Sequence, residues 1–303
     1  MLEHRREPEV AVIGGGAIGG YTAALLAEAG RAVTLCVRSP VERLRLRTPD
    51  GSISPELAIS SEPAAQRPVP WLLVTTKAQD TPGVAEWLRH LVGPETVVAL
   101  LQNGVDHAER LDGLVEPAAI LPTVVYAPVE RVAPGEVVSH ADGQLVIPEG
   151  VHAARFRELF DGTGLAVQAV PDFRAAAWRK LLSNVAANPL TALTMRRMEV
   201  ITEPEVGAMA TELMREALRV ARADGAELTE RELDRIRRMW GRMDPAGGSS
   251  MLYDRLAGRP LEHEFILGPI VRYAERYGIE VPLARTMLTL LRALDVAPAP
   301  QDS

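Results

Sequence analysis

The sequence predicts two domains of different class: an α/β domain on a mostly parallel sheet over residues 1–171, then an all-helical domain over residues 172–303. Three observations carry this. Short apolar runs alternate with helix-length segments through the first hundred residues, as strands do when crossover helices join them. A glycine cluster, Gly14-Gly15-Gly16-Ala17-Ile18-Gly19, falls at the first strand-to-helix junction. After Pro171 the strand pattern stops, and helical patterning runs almost to the C-terminus. A length of 303 residues suits two domains of about 150 each.

The elements follow in order. Glu9–Ile13 is a short β-like run, and Ala17–Glu28 is an Ala/Leu-rich helix that Gly30 can cap. Ala32–Val37, Trp71–Thr75 and Thr96–Leu101 read as further strands, with a helix around Val84–Leu91. From Ala118 to Ile147 the chain is Val-rich and punctuated by Pro and Gly, which we read as an antiparallel end of the same sheet. Leu165–Val170 is the last strand. Helices are expected at Phe173–Ala187, Glu205–Asp224, Glu230–Met239 and Leu261–Tyr277. Charges of both signs between Arg215 and Arg242 read as a solvated helix face, and the tail from Ala297 is expected to fray.

Composition narrows the function. A hydrophobic fraction of 47% with 24% charged residues is that of a globular protein. The net charge of −7 argues against nucleic-acid binding, which needs a basic surface. A single cysteine, Cys36, leaves no disulfide framework and no cysteine-rich zinc site, and no metal is expected. No run of eighteen apolar residues is present, so no membrane span is expected. Arg5 and Arg6 ahead of an apolar stretch loosely mimic a signal peptide, but glycines break the stretch, and the expected location is the cytoplasm.

The glycine cluster fits G-x-G-x-x-G. Between a strand and a helix this spacing has a mechanism: the first glycine permits the tight turn, the second lets backbone approach a pyrophosphate, and the third lets helix and strand pack closely. The N–H groups opening the helix then face the phosphates. Gly14, Gly15, Gly16, Ala17, Ile18 and Gly19 are therefore expected to bind a dinucleotide. Where an NAD site carries an acid at the end of the second strand, this chain reads Val37-Arg38-Ser39. Arg38 can pair with a 2′-phosphate, which predicts NADP(H). Lys77, just after a later strand, is a second cofactor candidate or an ordinary surface lysine.

Residue rarity points to the chemistry. Of 33 basic residues only Lys77 and Lys180 are lysines, and only Asn103, Asn184 and Asn188 are asparagines. Ion pairs work with either cation, but guanidinium cannot replace an acid–base amine because its pKa is too high. Lys180, Asn184 and Asn188 are spaced i, i+4, i+8 and share one helix face. Trp178, Leu182 and Val185 mark the core side, and the small Ala176, Ser183 and Ala187 flank the polar stripe. Pro189 is expected to kink or end the helix, tilting Asn188.

Other candidates lie apart in sequence. Ser249 and Ser250 sit at a helix start, as N-cap or as ligand contacts. Glu262 falls on the apolar stripe of Ile266, Ile270, Tyr273 and Tyr277, whereas Glu264 points away. A carboxylate on such a stripe needs a partner; Lys180 is the natural one, and arginines remain open. Asn103-Gly104 follows a strand at the carboxyl edge of the sheet, where ligands bind in such folds, or it is a plain Asn-Gly turn.

Taken together, these residues resemble the ketopantoate reductase (2-dehydropantoate 2-reductase) family over nearly the whole chain. The matching pieces are the Gly14–Gly19 loop, Arg38, Val74-Thr-Thr-Lys77, Asn103-Gly104, Trp178-Arg-Lys180, Asn184, Asn188-Pro-Leu-Thr191, Ser249-Ser250-Met251 and Glu262. The resemblance implies a Rossmann-type domain, a helical substrate and dimerisation domain, and NADPH-dependent reduction of ketopantoate to pantoate on the way to pantothenate and coenzyme A. It implies Lys180 as general acid, Glu262 as its catalytic partner, and Asn103, Asn184, Asn188 and Ser250 contacting a small 2-oxo acid or positioning it against the nicotinamide, with Asn103 binding the cofactor as well. The likeness departs at Met198-Glu199, where the family usually has Asn-Gly, and at Gly247, where Asn is common. The alternatives are a paralogous reductase of another 2-oxo or 3-hydroxy acid, and a nicotinamide sensor without turnover.

Overall fold

The computed structural model describes residues 8–295. The Arg5-Arg6 pair and the tail from Ala297 lie outside them. Two compact units divide the chain: one takes everything to Gln102 together with Asp106–Phe173, the other Asn103–Val105 and everything from Arg174.

The first unit opens with β1 (Val10–Ile13), α1 (Ala17–Glu28) and β2 (Val33–Cys36). It continues through β3 (Arg45–Thr48), β4 (Gly51–Ile53), β5 (Ala58–Ser60), β6 (Trp71–Val74), α2 (Ala85–Leu91) and β7 (Val97–Leu100). Then come β8 (Ile120–Pro122), β9 (Val124–Tyr126), β10 (Val129–Ala133), β11 (Glu136–Ser139), β12 (Gln144–Pro148), α3 (Ala153–Leu159) and β13 (Ala166–Val170). Six strands form one sheet in the order β5-β2-β1-β6-β7-β8, and every pair in it is parallel.

Both faces of this sheet are buried. Val10 and Val12 of β1, with Trp71 and Leu73 of β6, join a core that includes Ala23 and Leu26 of α1 and Phe156 of α3. Ala11, Ile13, Leu72 and Val74 point the other way, to Trp87, Leu88 and Leu91 of α2. Burial on two faces is why these strands read as continuous apolar runs. Gly30, at φ +84°, follows Ala29 at the end of α1 and adopts the left-handed turn that ends the helix.

The stretch from Ala118 to Ile147 departs from expectation. It does not extend the main sheet as an antiparallel end. β8 joins that sheet in parallel, β9, β12 and β13 form a three-stranded sheet, and β10 and β11 pair with β3 and β4 in a four-stranded one. The β3–β5 segment, unassigned from sequence, is mostly polar and half-exposed, so its strands lack the apolar signature of the core.

The second unit contains α4 (Phe173–Thr194), α5 (Pro204–Ala223), α6 (Arg231–Trp240), α7 (Ser250–Leu256), α8 (His263–Ile266), α9 (Gly268–Tyr277) and α10 (Pro282–Asp295). Trp178, Leu181, Leu182 and Val185 of α4 pack with Leu213, Met214, Ile270 and Leu288 in one core. Two expectations are corrected here. α4 does not end at Asn188 but runs through Pro189 to Thr194. A proline inside a helix costs about 3 kcal/mol or more; burying Pro189, Leu190, Thr191 and Ala192 offsets it. The helix expected over Leu261–Tyr277 is broken into α8 and α9, because Pro269 has no N–H to donate and restarts the helix near its first turn. Glu216 of α5, 2% exposed, accepts the N–H groups of Leu283 and Ala284 at 3.0 and 2.8 Å and so caps α10.

Candidate active site

At the carboxyl edge of the six-stranded sheet, chain connections run outward in opposite directions from β1 and β6. This is the switch point where ligands bind in open α/β sheets. The glycine turn occupies it. Gly14 has φ +115°, and a Cβ there would lie 2.9 Å from Thr75 Oγ1. A Cβ at Gly19 would collide with the Gly14 carbonyl and the Thr75 hydroxyl. At Gly15 it would lie 2.8 Å from Val37 Cγ1. Gly16, which precedes the first residue of α1, is different: a Cβ there would meet nothing within 4 Å. The first and third glycines therefore serve the turn, and the second leaves backbone open to a ligand. No acidic residue lies in the first turn of α1, and the helix dipole favours an anion at that end. The cradle fits a dinucleotide pyrophosphate.

Thr75 braces the turn. Its hydroxyl lies 2.9 Å from the Ile13 carbonyl and 3.2 Å from that of Gly14, tying β6 to β1. Arg38 follows β2 on the same edge and is exposed. Lys77 follows β6, half-buried, ahead of a 3₁₀ turn over Ala78–Val84. No carboxylate stands between Cys36 and Pro40, so the segment that follows β2 carries Arg38 without an acid beside it in the chain.

The second set belongs to the helical unit. Lys180 and Asn184 are half-buried on α4, and Asn188 is 4% exposed. Trp178, Leu182 and Val185 lie in the core as expected. Surrounding protein withdraws water from the Lys180 amine and lowers its pKa to about 8, while the Glu262 carboxylate works in the opposite direction. Glu262 is 4% exposed and sits at the N-cap of α8, not within a helix stripe. Its Oε2 accepts a hydrogen bond from Asn103 Nδ2 at 3.3 Å. Glu264 turns away, and Arg292 donates to its carboxylate at 2.5 and 2.8 Å. The structure thus brings Lys180, Glu262 and Asn103, separated by up to 159 residues, into one electrostatic group.

Ser249 and Ser250 divide their roles. Ser249 is the N-cap of α7, its hydroxyl accepting the Leu252 N–H at 3.1 Å. Ser250 is exposed, with its Oγ 3.5 Å from Asn188 Nδ2. Met198 and Gly247, the departures noted above, are neighbours: the Met198 N–H donates to the Gly247 carbonyl at 2.9 Å, and the Met198 side chain lies in the helical core.

Sequence reasoning named Thr191 only within the Asn188-Pro-Leu-Thr191 match and gave it no role; it is fully buried and hydrogen-bonds Ser249. The same reasoning missed the group around Gln102 in the first unit, where Gln102 donates to the Thr76 carbonyl at 3.0 Å and Arg110 pairs with Asp106 at 2.5 Å. Thr, Gln and Arg are common residue types, so only the fold could single these out.

Known proteins resemble the chain over most of its length. The pattern described as Ketopantoate reductase PanE/ApbA matches residues 10–151, and the one described as Ketopantoate reductase PanE/ApbA C terminal matches residues 172–295. A 2-dehydropantoate 2-reductase from Caulobacter vibrioides is 38% identical, covering 94% of this chain and 98% of the relative. A PanE/ApbA family ketopantoate reductase from Ralstonia eutropha has a similar structure, with a TM-score of 0.87 at 33% identity over 94% of this chain and 98% of its own. A dimeric ketopantoate reductase from Staphylococcus aureus superposes with a TM-score of 0.86 at 26% identity, over 94% and 98%. With both patterns matched in order over most of its length, the chain belongs to the ketopantoate reductase family.

Proposed function

We propose that this protein is an NADPH-dependent 2-dehydropantoate 2-reductase, which reduces ketopantoate to pantoate on the route to pantothenate and coenzyme A. One observation carries the reading: the single lysine of the helical unit has a lowered pKa, faces a buried glutamate, and shares its helix stripe with two of three asparagines. An ionisable group with its pKa near the working pH, beside a specific charge partner, marks a functional site.

Residues 1–171 would hold NADPH and residues 172–303 the substrate. Gly14, Gly16 and Gly19 shape the cradle, Arg38 pairs with the 2′-phosphate, and Lys77 lies at the same sheet edge. When bound, NADPH would supply the hydride that reduces the ketone carbon of the 2-oxo acid. Negative charge then grows on the carbonyl oxygen. Lys180, as ammonium, hydrogen-bonds that oxygen and donates a proton to it, a contribution of roughly 10² to 10⁴ in rate. Glu262 keeps the amine protonated and oriented, and Asn103 holds the Glu262 carboxylate. Asn184, Asn188 and Ser250 offer neutral donors and acceptors to the substrate without changing the charge of the site. We place the enzyme in the cytoplasm as a homodimer; among the described residues no helix is long and apolar enough to cross a membrane.

The test is direct. Purified protein is mixed with NADPH and ketopantoate, alongside a panel of small 2-oxo acids, and nicotinamide absorbance is followed. Rapid oxidation with ketopantoate supports the reading. Activity only with another acid favours the second reading, a paralogous reductase. That reading has one observation behind it: Met198 and Gly247 supply no polar side chain at adjoining positions.

A further inference from the structure

Behind the Asn188–Ser250 pair lies a second, covered pair of hydroxyls. Thr191 Oγ1 and Ser249 Oγ are 2.7 Å apart, and the residues are 0% and 8% exposed. Neither hydroxyl is needed for proton transfer or for the stripe itself. Their partners fix the direction of the protons. Thr191 Oγ1 lies 2.7 Å from the Ala187 carbonyl, which can only accept. Ser249 Oγ already accepts the Leu252 N–H. The consistent order is Leu252 N–H to Ser249, Ser249 O–H to Thr191, and Thr191 O–H to Ala187. Each hydroxyl donates once and accepts once, and such runs polarise and strengthen one another in a buried setting.

This run fixes one register between α7 and α4. Thr191 stands three residues after Asn188, on the same helix face, and Ser250 follows Ser249 directly. Arg255 adds a second tie, donating to the carbonyls of Ala192 and Leu193 at the end of α4. The spacing between Ser250 Oγ and Asn188 Nδ2, 3.5 Å, is at the outer limit of a hydrogen bond, so both groups keep donor capacity for a ligand oxygen. An N-cap alone would need Ser249 but not Thr191.

We propose that Thr191 and Ser249 form a buried latch that sets the Asn188–Ser250 spacing and thereby substrate affinity, acting as positioning residues that do not touch the substrate. This rests on the reading of the α4 stripe as the site of a 2-oxo acid. The experiment compares wild type, Thr191→Val, Thr191→Ser, Ser250→Ala and the Thr191→Val/Ser250→Ala double variant. It measures kcat and KM for ketopantoate, Kd for NADPH, and Tm. Thr191→Val is expected to raise KM about tenfold, the scale of one misplaced hydrogen bond. It should leave kcat within about twofold and NADPH affinity unchanged, because proton donor and cofactor cradle are untouched. Thr191→Ser should restore KM.

The double variant is decisive. If Thr191 acts through Ser250, the valine adds little to KM once Ser250 is alanine. Independent, multiplying effects on KM would overturn the latch and leave Thr191 a general packing residue. So would an unchanged KM in folded Thr191→Val, or a loss confined to NADPH binding. Should Thr191→Val fail to fold, Ser249→Ala, which keeps the Thr191 donation to Ala187, takes its place under the same criteria. A wild type that ignores ketopantoate but reduces another acid of the panel overturns the substrate assignment alone, and the latch is read with that acid. A wild type that reduces none overturns both.

Discussion

Lys180 is where sequence rarity, burial and charge meet. With its pKa near 8, the amine is protonated below that pH and loses its proton above it. As the proton donor it should give a kcat/KM that is flat below pH about 8 and falls about tenfold per unit above it, since kcat/KM reports the free enzyme. Glu262 raises that pKa, so Glu262→Gln should move the falling limb to lower pH; a limb that stays in place would remove Glu262 from the role given it. Lys180→Ala should lose at least about a hundredfold in turnover while binding NADPH as the wild type does. Arg38 makes a separate claim. Arg38→Ala should weaken NADPH binding about tenfold and leave NADH binding nearly unchanged, as seen by fluorescence titration, because only NADPH carries the 2′-phosphate. Cys36 makes no chemical claim: burial pushes its thiol pKa up to about 12, so it stays protonated in the core.

At the scale of elements, the glycine turn separates folding from binding within six residues. A methyl group at Gly19 meets the backbone of Gly14, so Gly19→Ala should lower Tm by several degrees. A methyl group at Gly16 enters open space, so Gly16→Ala should keep its Tm yet lose tenfold or more in NADPH affinity. Thermal melts with and without NADPH distinguish the two. If Gly16→Ala binds NADPH like the wild type, the cradle is not where the pyrophosphate lies. α4 shows the opposite relation between local rule and outcome. Pro189 argues for an end to the helix, but the core gained beyond it wins, and the extra turns carry Thr191 to Ser249.

At the scale of the whole molecule, the chain combines two compact units, each with its own packing and one group of candidate residues. The Staphylococcus aureus relative is dimeric. A dimer of this protein would sediment at twice the chain mass at micromolar concentration, and a monomer at all concentrations would remove dimerisation from the role given to the helical domain. The acidic balance of −7 should keep the particle free of nucleic acid during purification, a point checked by its absorbance ratio.

The sequence by itself determined the class of each half, the strands buried on two faces, the glycine cradle, and the membership of the Lys180 stripe. Each of these depends on residues close together in the chain, where a period of two or 3.6 or a fixed glycine spacing leaves a local signature. It did not determine where β8, β9, β11 and β12 pair beyond the β10–β11 hairpin, because strands separated by long connections record their partners nowhere in their own residues. It misjudged α4 and the α8–α9 break, because tertiary packing decides whether a proline is tolerated or restarts the helix. Above all, it could rank Glu262 and Asn103 as candidates but not join them. Their 3.3 Å contact spans 159 residues and exists only because the fold closes it. The pKa of Lys180 depends on the same closure, since desolvation and a facing carboxylate are properties of a packed environment and not of a residue type.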